Sequence, residues 1–382
     1  MKNNDKDKFT FQIGNEILEL NNLSQQMNEQ FESLYRYYYS NKLFDINLFK
    51  KSASSFFDGL LDMKLHDRFF NNFTILWQML VRNGSFFFAE QIWQLTVQIA
   101  KDWEELNQSK SKIHKGAAYY FWAVTCILKE DLEKGFLVMH QALEEDRLNR
   151  PNQFKDTPAY AFVKLDYNRQ EQYFRNKVLE VAEFLEQRIK LYQSSRNGTL
   201  SLDQLQSKFL DNINVLDQTF LFVYELFHIK KLLSESKQGL TQNVYGSILI
   251  MHVIFIFVLI IDNVIKQKYD NKDLHKQDFI NLIDYLSKKS NLTMDITKLR
   301  AINKRGNTDL EAIILDLLNS RPIFRNKLNP FENDLGIVYA FRNPAAHRIR
   351  DRPFVRENFQ QIIDRLFNVF FLAVEKLYVA TT

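Results

Sequence analysis

Residues that break helices are scarce in this chain. Its 382 residues include only 10 Gly and 6 Pro, too few to punctuate a fold rich in hairpins, so long helices are expected instead. Cysteine is scarcer still, because Cys126 stands alone. That excludes an intramolecular disulfide and a cysteine-based zinc cluster, and it suits a reducing compartment. Net charge is also small: 50 Lys+Arg against 46 Asp+Glu leave a formal +4. A balance this mild does not by itself imply nucleic acid, and any basic surface has to be local. The chain has no glycine-rich phosphate loop, no G-x-S-x-G elbow and no H-E-x-x-H pair, which removes the commonest nucleotide, esterase and zinc-protease signatures. Its opening, MKNNDKDKFTFQIGNEILEL, has no apolar core of a secretory signal.

What is present is large apolar side chains. Phe (34) and Tyr (16) dominate an aromatic share of 14%, and apolar residues reach 46% against 25% charged. These proportions describe a globular protein with a sizeable core, and the length favours two domains. The expected fold class is all-α. The run Ser247–Ile261, SILIMHVIFIFVLII, is shorter than the roughly 20 residues needed to span a bilayer, and His252 interrupts it. A buried central helix, or one at a subunit interface, is the expectation, with no membrane span and a cytoplasmic location.

Taken in order, residues 1–30 read as polar and then amphipathic, with a frayed start. Met27–Phe57 is aromatic with helical period. Phe69–Val81 and Phe86–Leu106 are helices separated by the turn Asn83-Gly84, whose chemistry suits a left-handed C-cap. Lys115–Asp146 reads as two amphipathic helices joined at Lys129-Glu130-Asp131, with Asp131 as the cap of the second. Ala117, Ala118 and Ala123 allow close approach, and Tyr120, Trp122, Leu132, Phe136, Met139 and Ala142 fill the space between. This unit resembles a tetratricopeptide helical hairpin. It is one unit and not an array, so a plain helical bundle with one such hairpin stays open. Asn149–Asp156 is a loop and Asn168–Gln193 a long charged helix. After a break at Ser194–Leu202, capped by Ser201 or Asp203, a helix is expected over Leu205–Leu233. Ser234–Gln242 is the candidate linker, dividing residues 1–235 from residues 240–382. Beyond it helices are expected at Val244–Tyr269, Lys276–Ser290, Thr308–Asn319, Asp334–Phe341 continuing into Pro344–Ile349, and Phe354–Tyr378, enough for a four- or five-helix bundle.

One short stretch carries chemistry: Phe341-Arg342-Asn343-Pro344-Ala345-Ala346-His347, followed by Arg348 and Arg350. Asn343 is a capping residue, and Pro344 is tolerated at the first helical position because its missing N–H has no partner there. A helix ending near Phe341 therefore breaks, leaving Arg342 at the break and His347 in the next turn. A guanidinium, an imidazole and open backbone N–H groups make a phosphate site. Arg348, Arg350, Arg352 and Arg356 add positive charge, with only Asp351 and Glu357 nearby to offset it.

This pattern resembles the R-x4-6-H signature of the HEPN superfamily in its R-N-x-x-A-H form, sharply over 341–350 and loosely over 240–382. The resemblance implies a metal-independent endoribonuclease that needs no cofactor, in which two copies pair through residues 240–382 and bring two motifs into one cleft. On it, His347 is the general acid/base, Arg342 binds the scissile phosphate, Asn343 orients these groups, and Arg348 and Arg350 bind the RNA substrate. Asp262, at the end of the apolar run, matches the acidic residue that family members carry in the first bundle helix; a solvent-facing Asp is the plain alternative. Some HEPN toxins carry a Tyr two residues after the His. Ile349 stands there instead, so silencing by adenylylation of such a tyrosine is not expected. The layout implies a bacterial defence or toxin effector, with the N-terminal region sensing or holding a protein or small-molecule regulator. A non-enzymatic, dimeric all-helical adaptor is the alternative.

Other clusters carry less. His140, Glu144 and Asp146 share two helical turns, but no second cluster completes a ligand set, so a solvated helix face is expected and no metal site. His252 is expected to be buried and hydrogen-bonded. Trp93, Trp103 and Trp122 read as core, and Cys126 reads as an inert packing thiol.

Overall fold

A computed structural model describes residues 8–60, 65–107, 112–269, 278–290, 295–306, 308–322, 328–342 and 351–380. The fold is all-α apart from one N-terminal hairpin, the only sheet among the described residues. Its strands, β1 (Lys8–Ile13) and β2 (Glu16–Asn21), pair antiparallel with Ile13 opposite Glu16. This corrects the expected frayed and amphipathic start. Phe9, Phe11 and Ile13 alternate with polar residues, and Gly14, at a φ of 58°, supplies the left-handed turn conformation that a two-residue hairpin needs.

The chain forms two compact units. The first comprises Met1–Phe162 with Arg169–Arg175, the second Val163–Asn168 with Asn176–Thr382. The linker expected near residues 234–242 falls inside the second unit instead.

In the first unit the hairpin is followed by α1 (Gln25–Asn41), α2 (Ile46–Asp58), α3 (His66–Arg82), α4 (Phe86–Leu106), α5 (Gly116–Leu128) and α6 (Leu132–Asn149). α3 holds the hairpin through Asn72, whose side chain accepts from the Asn21 N–H at 2.8 Å and donates to its carbonyl at 3.2 Å. Phe31, Phe49, Phe56, Phe57, Phe69 and Phe73 are all buried, each such ring contributing about 1.5–3 kcal/mol relative to exposure. Three sequence expectations hold here. α4 has the predicted bounds, Gly84 takes a φ of 72°, and the Asp131 side chain accepts from the Lys134 N–H. α5 and α6 approach so closely that a Cβ on Gly135 would lie 2.5 Å from the Ile127 side chain. Cys126 is buried, and burial pushes its thiol up to about 12, as a packing role requires. Trp93 is fully buried.

Two helices link the two units in sequence: α7 (Pro158–Val163), which had no counterpart in the expected elements, and α8 (Gln172–Arg196). In the second unit the helix expected over 205–233 is broken. α9 (Leu202–Leu205) runs into a wide turn at Gln206–Leu210, and α10 starts again at Leu216 and ends at Lys237. Asn212 accounts for the break, because its side chain accepts from the Asn214 N–H, a local bond that competes with helix continuation. Next come α11 (Val244–Lys266), α12 (Phe279–Lys289), α13 (Ile296–Gly306), α14 (Leu310–Leu318), α15 (Pro330–Phe341), α16 (Pro353–Glu357) and α17 (Phe359–Val374). α13 is an addition to the five expected helices.

α11 is the axis of this unit and packs against α10, α12, α15, α16 and α17. Among the described residues it is the one helix long and apolar enough to cross a membrane, and half of its most apolar stretch is buried within the fold. Phe257 on α11 meets Phe367 and Phe370 of α17 with ring centroids 4.8 and 5.9 Å apart. The opposite face, carrying Ile248, Phe255, Ile256 and Leu259, is only half-buried. His252 lies on that face and is exposed, against the expectation of a buried histidine.

Candidate functional site

Arg342 is placed by the end of α15. That helix begins at a capping box, where the Asn329 side chain accepts from the Glu332 N–H and Glu332 reaches back to the Asn329 N–H, with Pro330 in the first turn. It ends at Phe341, as the sequence predicts, and the Arg342 N–H still donates to the Val338 carbonyl at 3.0 Å. The guanidinium is therefore presented from the last turn of a rigid helix.

It meets Asp262. Arg342 Nη2 donates to Asp262 Oδ2 at 2.9 Å, joining residues 80 apart in sequence. Lys266, one turn along α11, donates to the same oxygen at 2.8 Å. Asp262 is 2% exposed, so the reading of it as a solvent-facing residue is overturned: a buried carboxylate needs cationic partners, and two are present. The pair is not saturated. Among the described residues Asp262 Oδ1 and Arg342 Nε are buried without hydrogen-bond partners, and the Arg342 side chain is 32% exposed. One edge of the guanidinium is thus held while another stays open, an arrangement suited to gripping an anion.

Asn343, His347, Arg348 and Arg350, with Pro344 and Ile349, lie outside the described residues. Immediately beyond them the chain is fixed to the other end of α11. The Ser247 hydroxyl donates to Asp351 Oδ1 at 2.8 Å and accepts from Arg356 Nη1 at 2.6 Å. Arg356 also pairs with Asp351 and donates to the Asn243 carbonyl at 3.1 Å. The Ser247 hydroxyl, helped by Arg356, holds the Asp351 carboxyl below the usual range. These contacts correct the count of available charge: Arg356 is neutralised by Asp351, and Arg352 is 2% exposed. Arg356 ties the segment to α11 through Asn243 and Ser247, and the Arg352 N–H donates to the Ser247 hydroxyl at 3.4 Å. Ser247, the hub of these bonds, was missed by sequence reasoning because nothing local marks it.

Elsewhere in the second unit, an open cleft of about 300 Å³ is lined by Arg196, Arg365, Asp364 and Asn368, but its arginines are committed to Asp334. The one cluster of three His, Asp or Glu donors among the described residues, His66, Asp67 and His114, belongs to the first unit. Glu144 pairs with Arg147 at 2.8 Å. Asp146, expected on a solvated face with His140, is 4% exposed and bonds His114 at 2.8 Å instead. Comparison with protein-family models, with curated protein sequences and with solved structures finds no match for this chain.

Proposed function

We propose that the protein is a HEPN-type, metal-independent endoribonuclease acting on single-stranded RNA. The observation that carries this reading is the Arg342–Asp262 pair. The acidic residue singled out on the first bundle helix lies 2.9 Å from the motif arginine and leaves part of its guanidinium open. In the reaction, His347 takes the proton from a ribose 2′-OH, whose oxygen attacks phosphorus. The bond from phosphorus to the 5′-oxygen breaks, and that oxygen receives a proton from an imidazolium. The products are a 2′,3′-cyclic phosphate and a 5′-hydroxyl. Imidazole suits both transfers because its pKa lies near neutral pH. Arg342 binds the nonbridging oxygens and stabilises the charge that builds on them. Asn343 orients these groups, and Arg348 and Arg350 hold the flanking phosphates. Asp262 acts through Arg342: it sets the plane of the guanidinium.

The half-buried face of α11 supports pairing with a second copy. Asp262 lies about two turns along α11 from Phe255, and in the proposed pair a copy seated on Ile248, Phe255, Ile256 and Leu259 brings two Arg342 side chains toward one cleft. A cytoplasmic location, a role in defence or toxicity, and a regulator held by a tetratricopeptide-like first unit complete the proposal.

The test uses purified full chain, single-stranded RNA and EDTA. Cleavage with cyclic-phosphate ends, absent on DNA and absent in His347→Ala, supports the enzyme. An Ile256→Asp variant is expected to be monomeric by light scattering and inactive. Dimers that bind RNA or protein but never cleave, even with cell extract added, favour the adaptor reading.

A further inference from the structure

Three elements of the first unit bring metal-ligating side chains to one point. His66 opens α3 with Asp67 beside it, His114 lies in the turn before α5, and Asp146 sits near the end of α6. One ligating atom from each of His66, Asp67 and His114 lies within 4.8 Å of the others. His66 Nε2 is 3.2 Å from Asp67 Oδ1, and His114 Nε2 is 2.8 Å from Asp146 Oδ1. Asp67, His114 and Asp146, with Arg150, line a cavity of about 110 Å³.

We propose that His66, Asp67, His114 and Asp146 bind one divalent transition-metal ion, of which Zn²⁺ fits the donors best. Zinc bonds of about 2.0–2.1 Å at tetrahedral angles put neighbouring donors roughly 3.3 Å apart. The His66–Asp67 contact of 3.2 Å is already near that spacing and the His114–Asp146 contact of 2.8 Å is somewhat shorter, while the atoms of His66, Asp67 and His114 lie within 4.8 Å of one another, so side-chain rotations that draw the two pairs together complete the set. Two neutral imidazoles and two carboxylates balance a 2+ charge. Softness agrees as well, since imidazole nitrogen with carboxylate oxygen selects zinc over magnesium or calcium.

Burial adds a second argument. His66, His114 and Asp146 have side-chain exposures of 12%, 11% and 5%, whereas Asp67 is 56% exposed. Three ligands are preset in the interior and the fourth sits at the mouth, which provides an entry path. Gly116 keeps the site open: a Cβ there would lie 2.1 Å from Asp146 Oδ1 and 2.8 Å from His114 Nε2. Arg150 is the competitor. Its Nη2 lies 3.2 Å from Asp67 Oδ2, and it shares Asp67 with the ion or swings aside when the ion enters. An ion held this way ties α3, α5 and α6 to one point and stiffens the first unit. The site lies outside the proposed ribonuclease machinery and does not depend on it.

The experiment strips the full chain with EDTA, removes the chelator, and titrates with ZnCl₂ by calorimetry, with Co²⁺ as a spectroscopic probe. The proposal expects one equivalent per chain, a raised Tm, and the strong visible bands of a four-coordinate cobalt site. His114→Ala and Asp67→Asn are each expected to weaken Zn²⁺ binding at least about a hundredfold, the upper end of what loss of an outer-shell partner costs. Asp67→Asn keeps the volume of a half-exposed residue and so tests the site even where His114→Ala unfolds. Absence of stoichiometric binding, or binding unchanged in Asp67→Asn, overturns the proposal. In that case His114–Asp146 is a buried hydrogen-bonded pair and nothing more.

Discussion

Two aspartates of the second unit each meet arginine, and their oxygens are occupied differently. Asp334, on α15, has no exposed surface and accepts four hydrogen bonds. Arg196 supplies two, at 2.7 and 2.9 Å, while Arg365 and Asn368 add bonds of 3.2 and 2.9 Å. Every oxygen is occupied, and the Arg196 side chain is 6% exposed. Asp262 is almost as deeply buried, yet it uses one oxygen, and Arg342 keeps a partly open side chain. A carboxylate that only holds helices together is surrounded until nothing is left over. Asp262 holds its arginine by one edge and leaves part of that side chain open.

The largest loss of stability is expected at Asp334. Asp334→Ala leaves two guanidinium groups without their carboxylate and is expected to cost about 3–5 kcal/mol, read from urea unfolding. A loss as small as that from a surface substitution would mean the knot is not structural.

Glu225, on α10, bounds the comparison from the other side. It is 1% exposed, its Oε2 has no partner among the described residues, and burial pushes its carboxyl up from 4.5 to about 8. The folded state therefore keeps a proton that the unfolded chain has released. The stability this confers is whole below about pH 4.5 and is lost as pH rises through about 8. Glu225→Gln is expected to flatten that decline and to stabilise the protein by a few kcal/mol at about pH 9. An unchanged pH profile would show that the carboxyl finds a partner in solution.

The smallest effect is expected at Asp262. Asp262→Asn keeps an acceptor for Arg342 but removes the charge, so cleavage should slow roughly tenfold, the scale of lost second-layer support, with Tm nearly constant. The same substitution at Asp334 should move Tm instead.

How much of this was legible depends on how local the determinants are. The bounds of α4 are legible because its apolar period is unbroken and Asn83-Gly84 precedes it. Arg342 was found because its neighbours in sequence form a motif, and Asp262 because it closes a conspicuous apolar run. The hairpin was missed although Phe9, Phe11 and Ile13 alternate and Gly14 turns the chain, since the Asn and Lys around them resemble a frayed terminus. The start of α15 was placed at Asp334 although Asn329-Pro330, with Glu332 three residues after the cap, carries the same signature that was recognised at Asn343-Pro344. The pairing of Asp146 with His114 could not be read at all. They are 32 residues apart and meet only because α5 and α6 fold back on each other. Ser247 is in the same position, since its partners Asp351 and Arg356 lie more than 100 residues away.

The central claim is that Arg342, held by Asp262, grips the phosphate that is cut. It is tested most directly by the rate of single-stranded RNA cleavage in EDTA for wild type and Arg342→Ala, with Tm recorded for both. The account predicts a loss of about 10²–10³ in rate, the scale of a removed transition-state donor, at nearly equal Tm. Equal rates in the two proteins would contradict it.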